Sequence, residues 1–351
     1  MLSYNVKGGI SYMEKMIYIS NENNKPQYNL AFEEYVFTKV ADDVPVLLLW
    51  QNEPSVIIGK FQNTIEEINY DYIRERNINV VRRNTGGGAV YHDLGNLNYS
   101  FIIPGVNTKV DFKTFTIPVV KALNSYGVPA EQTGRNDILV DGRKFSGNAQ
   151  QFSGGKLLHH GTIMFDVDTE AVQKALNVKA GKFKSKATKS VRSRVTNLKP
   201  YFDEAASKGI EAASNLDIPG FKDLLLNWFS KEYDLTEITL SEAQLAEIED
   251  LRKTKYETDS WNYGTSPKAD VSRGDYFRCG YVEFNFSIKS NRIKKLKLVG
   301  DFFCSRPVEE FEAMFEGVDF TYDAVLKVLQ EADLSSYLGD VTAEELIEVI
   351  I

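Results

Sequence analysis

The sequence predicts an α+β protein of one large domain followed by a smaller one, and three observations carry that prediction. Strand-like apolar runs and helical periodicities intermix over the first 250 residues without any internal repeat. An Asp-Gly pair between strand-forming flanks gives the usual hairpin signal. The polar, aromatic-marked stretch "YETDSWNYGTSPKAD" reads as a linker, beyond which alternation and then helical periodicity resume.

The elements follow in order. "MIYIS" reads as a strand, and "PVLLLW" and "SVIIGK" read as buried strands flanking the turn-like "QNEP". "IEEINYDYIRERN" is helical, and "INVVRR" is a strand that runs into three glycines. "NLNYSFIIP" alternates like a strand, whereas "FKTFTIPVVKALNSYG" is helical, with Gly127 as its stop. "NDILVDGRKFSGNA" is the hairpin, "KLLHHGTIMFDVD" a strand, and "TEAVQKALN" a short helix opened by a Thr cap. A helix pair is expected over 220–233 and 241–255. After the linker, "YVEFNFSIKSNRIKKLKLVGDFF" alternates like a hairpin, and two helical segments are expected to finish the chain. The boundary falls near Ser260–Pro267. The expected division is an extension over 1–15, a large domain over 16–259, a linker over 260–267 and a smaller domain over 268–351.

Composition narrows the function. No run approaches 18 uninterrupted apolar residues, which argues against a spanning helix. "MLSYNVKGGISYMEK" lacks the apolar core of a secretory signal, so the cytoplasm is the expected compartment and Met16 a candidate start. Two cysteines, Cys279 and Cys304, allow at most one bridge, and three histidines without HExxH or CxxC spacing argue against zinc. A net charge of −8 speaks against a nucleic-acid coat, yet nine Lys or Arg and no acid lie between Ala171 and Phe202. The Gly, Ser and Thr content of that basic island suits a loop that orders around an anion. With Phe183 its sole stacking aromatic before Tyr201, it makes a poor nucleic-acid patch.

Two motifs point to a ligand. In "RRNTGGGAVYHD" the glycines allow close approach to main-chain N–H groups, and Arg82 and Arg83 add charge suited to phosphate or carboxylate. The plain alternative is a flexible loop, and the run matches neither the GxxxxGK[ST] nor the GxGxxG nucleotide pattern. In the hairpin, a two-residue turn at Asp141-Gly142 pairs Val140 with Arg143 and Leu139 with Lys144. Asp137 and Lys144 then share a face as diagonal neighbours, with Cβ atoms about 7–8 Å apart. An acid and a lysine so placed can hold a metal–phosphate and a developing negative charge. A surface salt bridge worth well under ~1 kcal/mol is the alternative.

Taken together, "NLAFEEYVF", "LLLWQNEPSVIIGKFQN", "RRNTGGGAVYHDLGNLNYSF", "GRNDILVDGRKFSGNAQ", "HHGTIMFD", "SVRSRVTNL" and "SWNYG" resemble the lipoate–protein ligases of the biotin/lipoate ligase superfamily, in family order. The resemblance implies a central mixed sheet with helices and a C-terminal accessory domain. It implies ATP, Mg²⁺ and (R)-lipoate as reactants: lipoate is joined to AMP with release of pyrophosphate, then passed to a carrier lysine. Lys144, opening the family's KxxGxA pattern with Gly147 and Ala149, would be the catalytic residue. Arg83, Thr85, Gly86, Gly87, Gly88, Ala89, Val90, His92, Asn136, Asp137 and His160 would contact the ATP or the lipoyl adenylate. Asp137 would also meet Mg²⁺ through the phosphates, and Trp50 and Gly59 would lie near the pocket. The basic island matches the adenylate-binding loop, with Lys179, Gly181, Lys182, Lys186, Ser190, Val191 and Arg192. Thr85 stands where serine is common in the family, which keeps the hydroxyl.

The implied partners are lipoyl domains of 2-oxo acid dehydrogenase complexes or the glycine-cleavage H protein, acted on by a monomer without membrane or nucleic acid. The rival enzyme is an octanoyl- or lipoyl-transferase, which commonly uses a cysteine; both cysteines here lie outside the motif region. Biotin ligation lacks its GRGRxGR signature.

Overall fold

The structure, a computed structural model, describes residues 14–106, 111–133, 136–177, 195–264 and 269–351. Its strands are β1 (Lys15–Ile19), β2 (Val46–Trp50), β3 (Ser55–Ile58), β4 (Asn79–Arg82), β5 (Val90–His92), β6 (Asn96–Pro104) and β7 (Ala130–Thr133). They continue as β8 (Asp137–Val140), β9 (Arg143–Ser153), β10 (Lys156–Met164), β11 (Asp234–Ile238), β12 (Val271–Phe277), β13 (Gly280–Lys289) and β14 (Arg292–Gly300). The chain forms two compact units that interleave in sequence. One comprises Met1–Ser55, His92–Gln173 and Lys189–Lys253; the other comprises Val56–Tyr91, Lys174–Thr188 and Thr254–Ile351.

The first unit is built on an eight-stranded sheet of order β11-β1-β2-β6-β10-β9-β8-β7. β1 runs parallel to β11 and β2, and the other pairings are antiparallel, so the sheet is mixed. Strand alternation gives the sheet two distinct faces. Leu47, Leu49, Leu97, Tyr99, Phe101, Leu157 and Ile163 turn to one side and pack with Phe115, Val119, Phe221 and Leu225 of the helices Lys113–Ser125 and Ile218–Glu232. The opposite side carries Trp50, Asn98, Ser100, His160 and Thr162. Helix α1 (Pro26–Tyr35) reaches that side through Glu33, which is buried.

The second unit holds two three-stranded sheets, β4-β3-β5 and β12-β13-β14. Val56, Ile58, Ile68, Ile73, Ile78 and Val80 form a small core under the first. The second is a meander whose Val282, Phe284, Phe286, Leu296 and Leu298 pack with Phe311, Val325, Leu346 and Ile347 of three helices, Val308–Ala313, Tyr322–Glu331 and Ala343–Ile350. The tail thus has more helices than the two expected, a fourth being the single turn Leu334–Tyr337.

Other expectations are adjusted in detail. "IEEINYDYIRERN" splits into Thr64–Glu67 and Tyr70–Glu75. The helix Thr169–Ala175 is capped by Asp168, whose carboxylate accepts from the N–H groups of Glu170 and Ala171, and not by Thr169. The stretch expected to be a linker is tied down at its start. Asp259–Asn262 is a helical turn, Asn262 is buried, and the Trp261 indole donates to the Arg82 carbonyl at 2.8 Å.

Candidate active site

In the first unit, Asp141 and Gly142 both adopt positive φ, 49° and 69°, as a tight two-residue hairpin turn requires. Val140 pairs with Arg143 and Leu139 with Lys144, as the turn dictates. The ladder then slips, so that Ile138 faces Ser146 and Asp137 faces Gly147. The extra residue is Phe145, which enters the core. A bulge of this kind re-aims side chains. Here Lys144 Nζ meets Asp137 Oδ1 at 2.7 Å, with both side chains 38% exposed and open to a ligand. A Cβ on Gly147 would stand 3.0 Å from Lys144 Nζ, so glycine leaves room for the lysine to lie over it.

The groups beneath this pair are mutually satisfied. Asn148 donates from N and Nδ2 to the Asn136 carbonyl, each at 3.0 Å, and Asn136 Nδ2 returns a bond to the Asn148 carbonyl at 3.0 Å. On the core side, Asn148 Oδ1 accepts from Tyr99 and from His159 Nε2 at 3.1 Å, and Gln150 donates to His159 Nδ1 at 3.0 Å. That pattern fits a neutral imidazole. Burial, then the neighbouring His160, holds the His159 pKa well below its ordinary value. Burial also pushes the Tyr99 phenol up.

On the opposite side of the sheet, His160 pairs in register with Ala149, and its Nδ1 donates to both oxygens of Glu33, at 2.9 and 3.0 Å. Ser100 donates to Glu33 at 2.6 Å and accepts from the Trp50 indole at 2.9 Å. His92 is buried and its Nδ1 accepts from Asn52 at 3.0 Å; Asn52 in turn accepts from Asn29 of α1 at 2.9 Å. Trp50, His160 and Ala149 are therefore brought onto the Lys144 face of one sheet. Glu33, Asn52, Ser100 and Asn148 are the polar residues that sequence reasoning passed over. Glu33 had a signal: it stands three residues after Leu30 and four before Phe37, a charge on an apolar stripe.

In the second unit, the arginines of the glycine loop are turned inward. Arg82 is 1% exposed. Its side chain donates to the carbonyls of Trp261, Gly59, Lys60, Gln62 and Asn262 and to Thr64 Oγ1, at 2.7–3.2 Å. Burial pushes its pKa down to about 10. The charge expected to suit a phosphate is thus used to tie β4 to Asp259–Asn262. Arg83 donates to Thr85 Oγ1 and to the carbonyls of Ile57, Gly86 and Gly88, at 2.7–3.0 Å, and so sets the path of the loop.

The bare backbone also has internal uses. A Cβ on Gly86 would overlap the Phe302 carbonyl, and one on Gly87 (φ 89°) would lie 2.8 Å from the Phe303 ring. Gly87 N–H donates to the Phe302 carbonyl at 3.3 Å. A Cβ on Gly59 would overlap the Gly87 carbonyl. Ala89 packs on the small core, and Val90 opens β5.

Lys179, Gly181, Lys182, Lys186, Ser190, Val191 and Arg192 lie outside the described residues. Among the described residues no cluster of three His, Cys, Asp or Glu could cage a metal. The single carboxylate of Asp137 fits a Mg²⁺ that arrives on nucleotide phosphates. No helix among the described residues is long and apolar enough to cross a membrane.

The chain is similar to known proteins over most of its length. Residues 25–230 match the Lipoyl protein ligase A/B catalytic domain, and residues 266–350 the Bacterial lipoate protein ligase C-terminus. The chain is 41% identical over 340 residues to the lipoate-protein ligase LplJ of Bacillus subtilis, covering 95% of this chain and 100% of that one. Among solved structures, P. falciparum LipL1 in complex with lipoate superimposes with a TM-score of 0.74 at 25% identity, covering 91% and 94% of the two chains. A lipoate-protein ligase A bound with ATP gives a TM-score of 0.58 at 27% identity, over 72% and 100%.

Proposed function

The chain belongs to the lipoate–protein ligase family, and from that premise we propose an ATP-driven reaction in two half-steps. In the first, a carboxylate oxygen of lipoate attacks the α-phosphorus of ATP, the bond to pyrophosphate breaks, and lipoyl-AMP forms. In the second, the amine of a lysine on a lipoyl carrier domain attacks the acyl carbon. The bond to AMP breaks, the amine gives up a proton, and an amide remains. The relatives solved with lipoate and with ATP support both reactants.

The observation that carries this reading is the Lys144–Asp137 pair on the bulged hairpin. Both half-steps build negative charge on the oxygens of the acyl and phosphoryl groups, and an ammonium fixed beforehand stabilises that charge without reorganising. Asp137 holds the ammonium in place and is the residue that would meet Mg²⁺, an ion that offsets phosphate charge when bound. Asn136, fixed by Asn148, is proposed to face the nucleotide. Thr85–Val90 are proposed to hold the phosphate and activated carboxyl through a backbone shaped by Arg83.

A cysteine-dependent transferase is the poorer reading. Cys279 is buried, and burial pushes the Cys304 thiol up to about 11, where little reactive thiolate forms at neutral pH. The test is pyrophosphate release from ATP and Mg²⁺, with and without lipoate, for the intact protein and for Lys144→Ala. Lipoate-dependent release that collapses in the variant is expected. Release that ignores lipoate, or a fully active variant, would defeat the assignment.

A further inference from the structure

Asn98, on β6, is 2% exposed, and its Nδ2 has no hydrogen-bond partner among the described residues. Its other end is engaged: Asn96 Nδ2 donates to Asn98 Oδ1 at 3.0 Å, which fixes the amide with its own N–H₂ group free. A buried donor without a partner destabilises the protein that carries it, so the residue invites a reason beyond packing.

Register supplies one. Asn98 stands opposite Trp50 on one side and Thr162 on the other. Thr162 Oγ1 accepts from Gly147 N–H at 3.2 Å, and Gly147 stands opposite Asp137. Directly paired residues share a face of a sheet, so Trp50, Asn98, Thr162, Gly147 and Asp137 form one row across five strands. Lys144 Nζ lies over Gly147 at the far end of that row. Neighbouring strands are about 4.8 Å apart, which places Asn98 about 10 Å from Gly147 and Trp50 about 14 Å away. A carboxyl group held by Lys144 at about 2.8 Å therefore stops roughly 7 Å short of Asn98. The amide meets whatever lies several bonds further along the acyl chain.

In lipoate that position is reached by the dithiolane ring, whose sulfurs are weak acceptors. In octanoate it is reached by methylene groups that accept nothing. We propose that Asn98 determines acyl specificity, donating from Nδ2 to a dithiolane sulfur and so favouring lipoate over octanoate. The proposal rests on the ligase reading for the position of the carboxyl at Lys144.

The test is calorimetric titration of the intact protein with lipoate and with octanoate, without ATP, beside Asn98→Leu and Asn98→Ala. Leucine keeps the γ-branched shape and removes the donor. We expect Asn98→Leu to bind lipoate about tenfold more weakly and octanoate within about twofold of the parent, the scale of one lost buried hydrogen bond. Its thermal midpoint should fall modestly, because the unpaired Nδ2 is gone but Asn96 Nδ2 loses its acceptor, and Asn98→Ala should show the same loss of preference. An equal loss for both acids would place Asn98 at the carboxyl end and overturn the proposal. So would unchanged affinities, or a parent protein that does not prefer lipoate. Should the parent prefer lipoate yet release no pyrophosphate, the ATP-driven reading fails and the specificity assignment stands.

Discussion

The hairpin at Asp141-Gly142 and the loop after β4 present their positive charge in opposite ways. Lys144 is held by one short ion pair and stays more than a third exposed. Arg82 is buried and donates to its own chain alone, and Arg83 curls back onto the carbonyls of Gly86 and Gly88. The difference follows from side-chain chemistry. A guanidinium offers five donors in a flat fork, suited to gathering carbonyls in a desolvated place, whereas an ammonium is a compact point charge that one carboxylate can hold with donors left for a ligand. A motif cation thus reaches a ligand only where the fold leaves it something to donate.

The contrast can be broken most forcefully at Arg82. Arg82→Ala leaves the carbonyls of Gly59, Lys60, Gln62, Trp261 and Asn262 without this donor and should cost about 4 kcal/mol of stability. Arg82→Lys should recover little of it, since one ammonium cannot span the fork. Urea unfolding measures both, and a loss below ~1 kcal/mol would show the bonds to be incidental. At Lys144 the balance should invert. Lys144→Ala should raise the barrier to adenylation by about 3 kcal/mol, roughly a hundredfold in rate, while its unfolding midpoint barely moves.

Smaller effects sharpen the same comparison. Gly86→Ala places a methyl against the Phe302 carbonyl, and should cost about 2 kcal/mol through forced backbone shift. If melting is unchanged, Gly86 is glycine for the ligand and not for Phe302. The smallest effect is on pH. The native state keeps His159 neutral well below its ordinary 6.5, whereas the unfolded chain takes up a proton there. Stability then falls as pH drops below about 6.5, by at most about 1.4 kcal/mol per pH unit for one proton. In His159→Phe the decline between about pH 6.5 and 5 should flatten. A slope equal to the parent's would assign the titration to another group.

Much of this was legible locally. The Asp-Gly turn set the pairing of Lys144 with Leu139 because two-residue loops leave no choice of register. What escaped was set by distant chain. The slip that admits Phe145 to the core depends on the space left by Ile138 and its neighbours, not on hairpin residues alone. Arg82 looked available because its acceptors Trp261 and Asn262 lie 179 and 180 residues away. Asn98 looked like an ordinary strand position until three pairings aligned it with Thr162, Gly147 and Asp137.

The interleaving of the two units bears on how the chain is made. Val56–Tyr91 belongs with Thr254–Ile351, yet it leaves the ribosome long beforehand. At roughly 5–20 residues per second, the Arg82 guanidinium waits on the order of ten to forty seconds for the carbonyls of Trp261 and Asn262. Through that interval the small core under β3 and β4 lacks Tyr263, which packs against it in the finished protein. Slowing translation just after residue 91 should therefore lengthen the chain's dependence on chaperones.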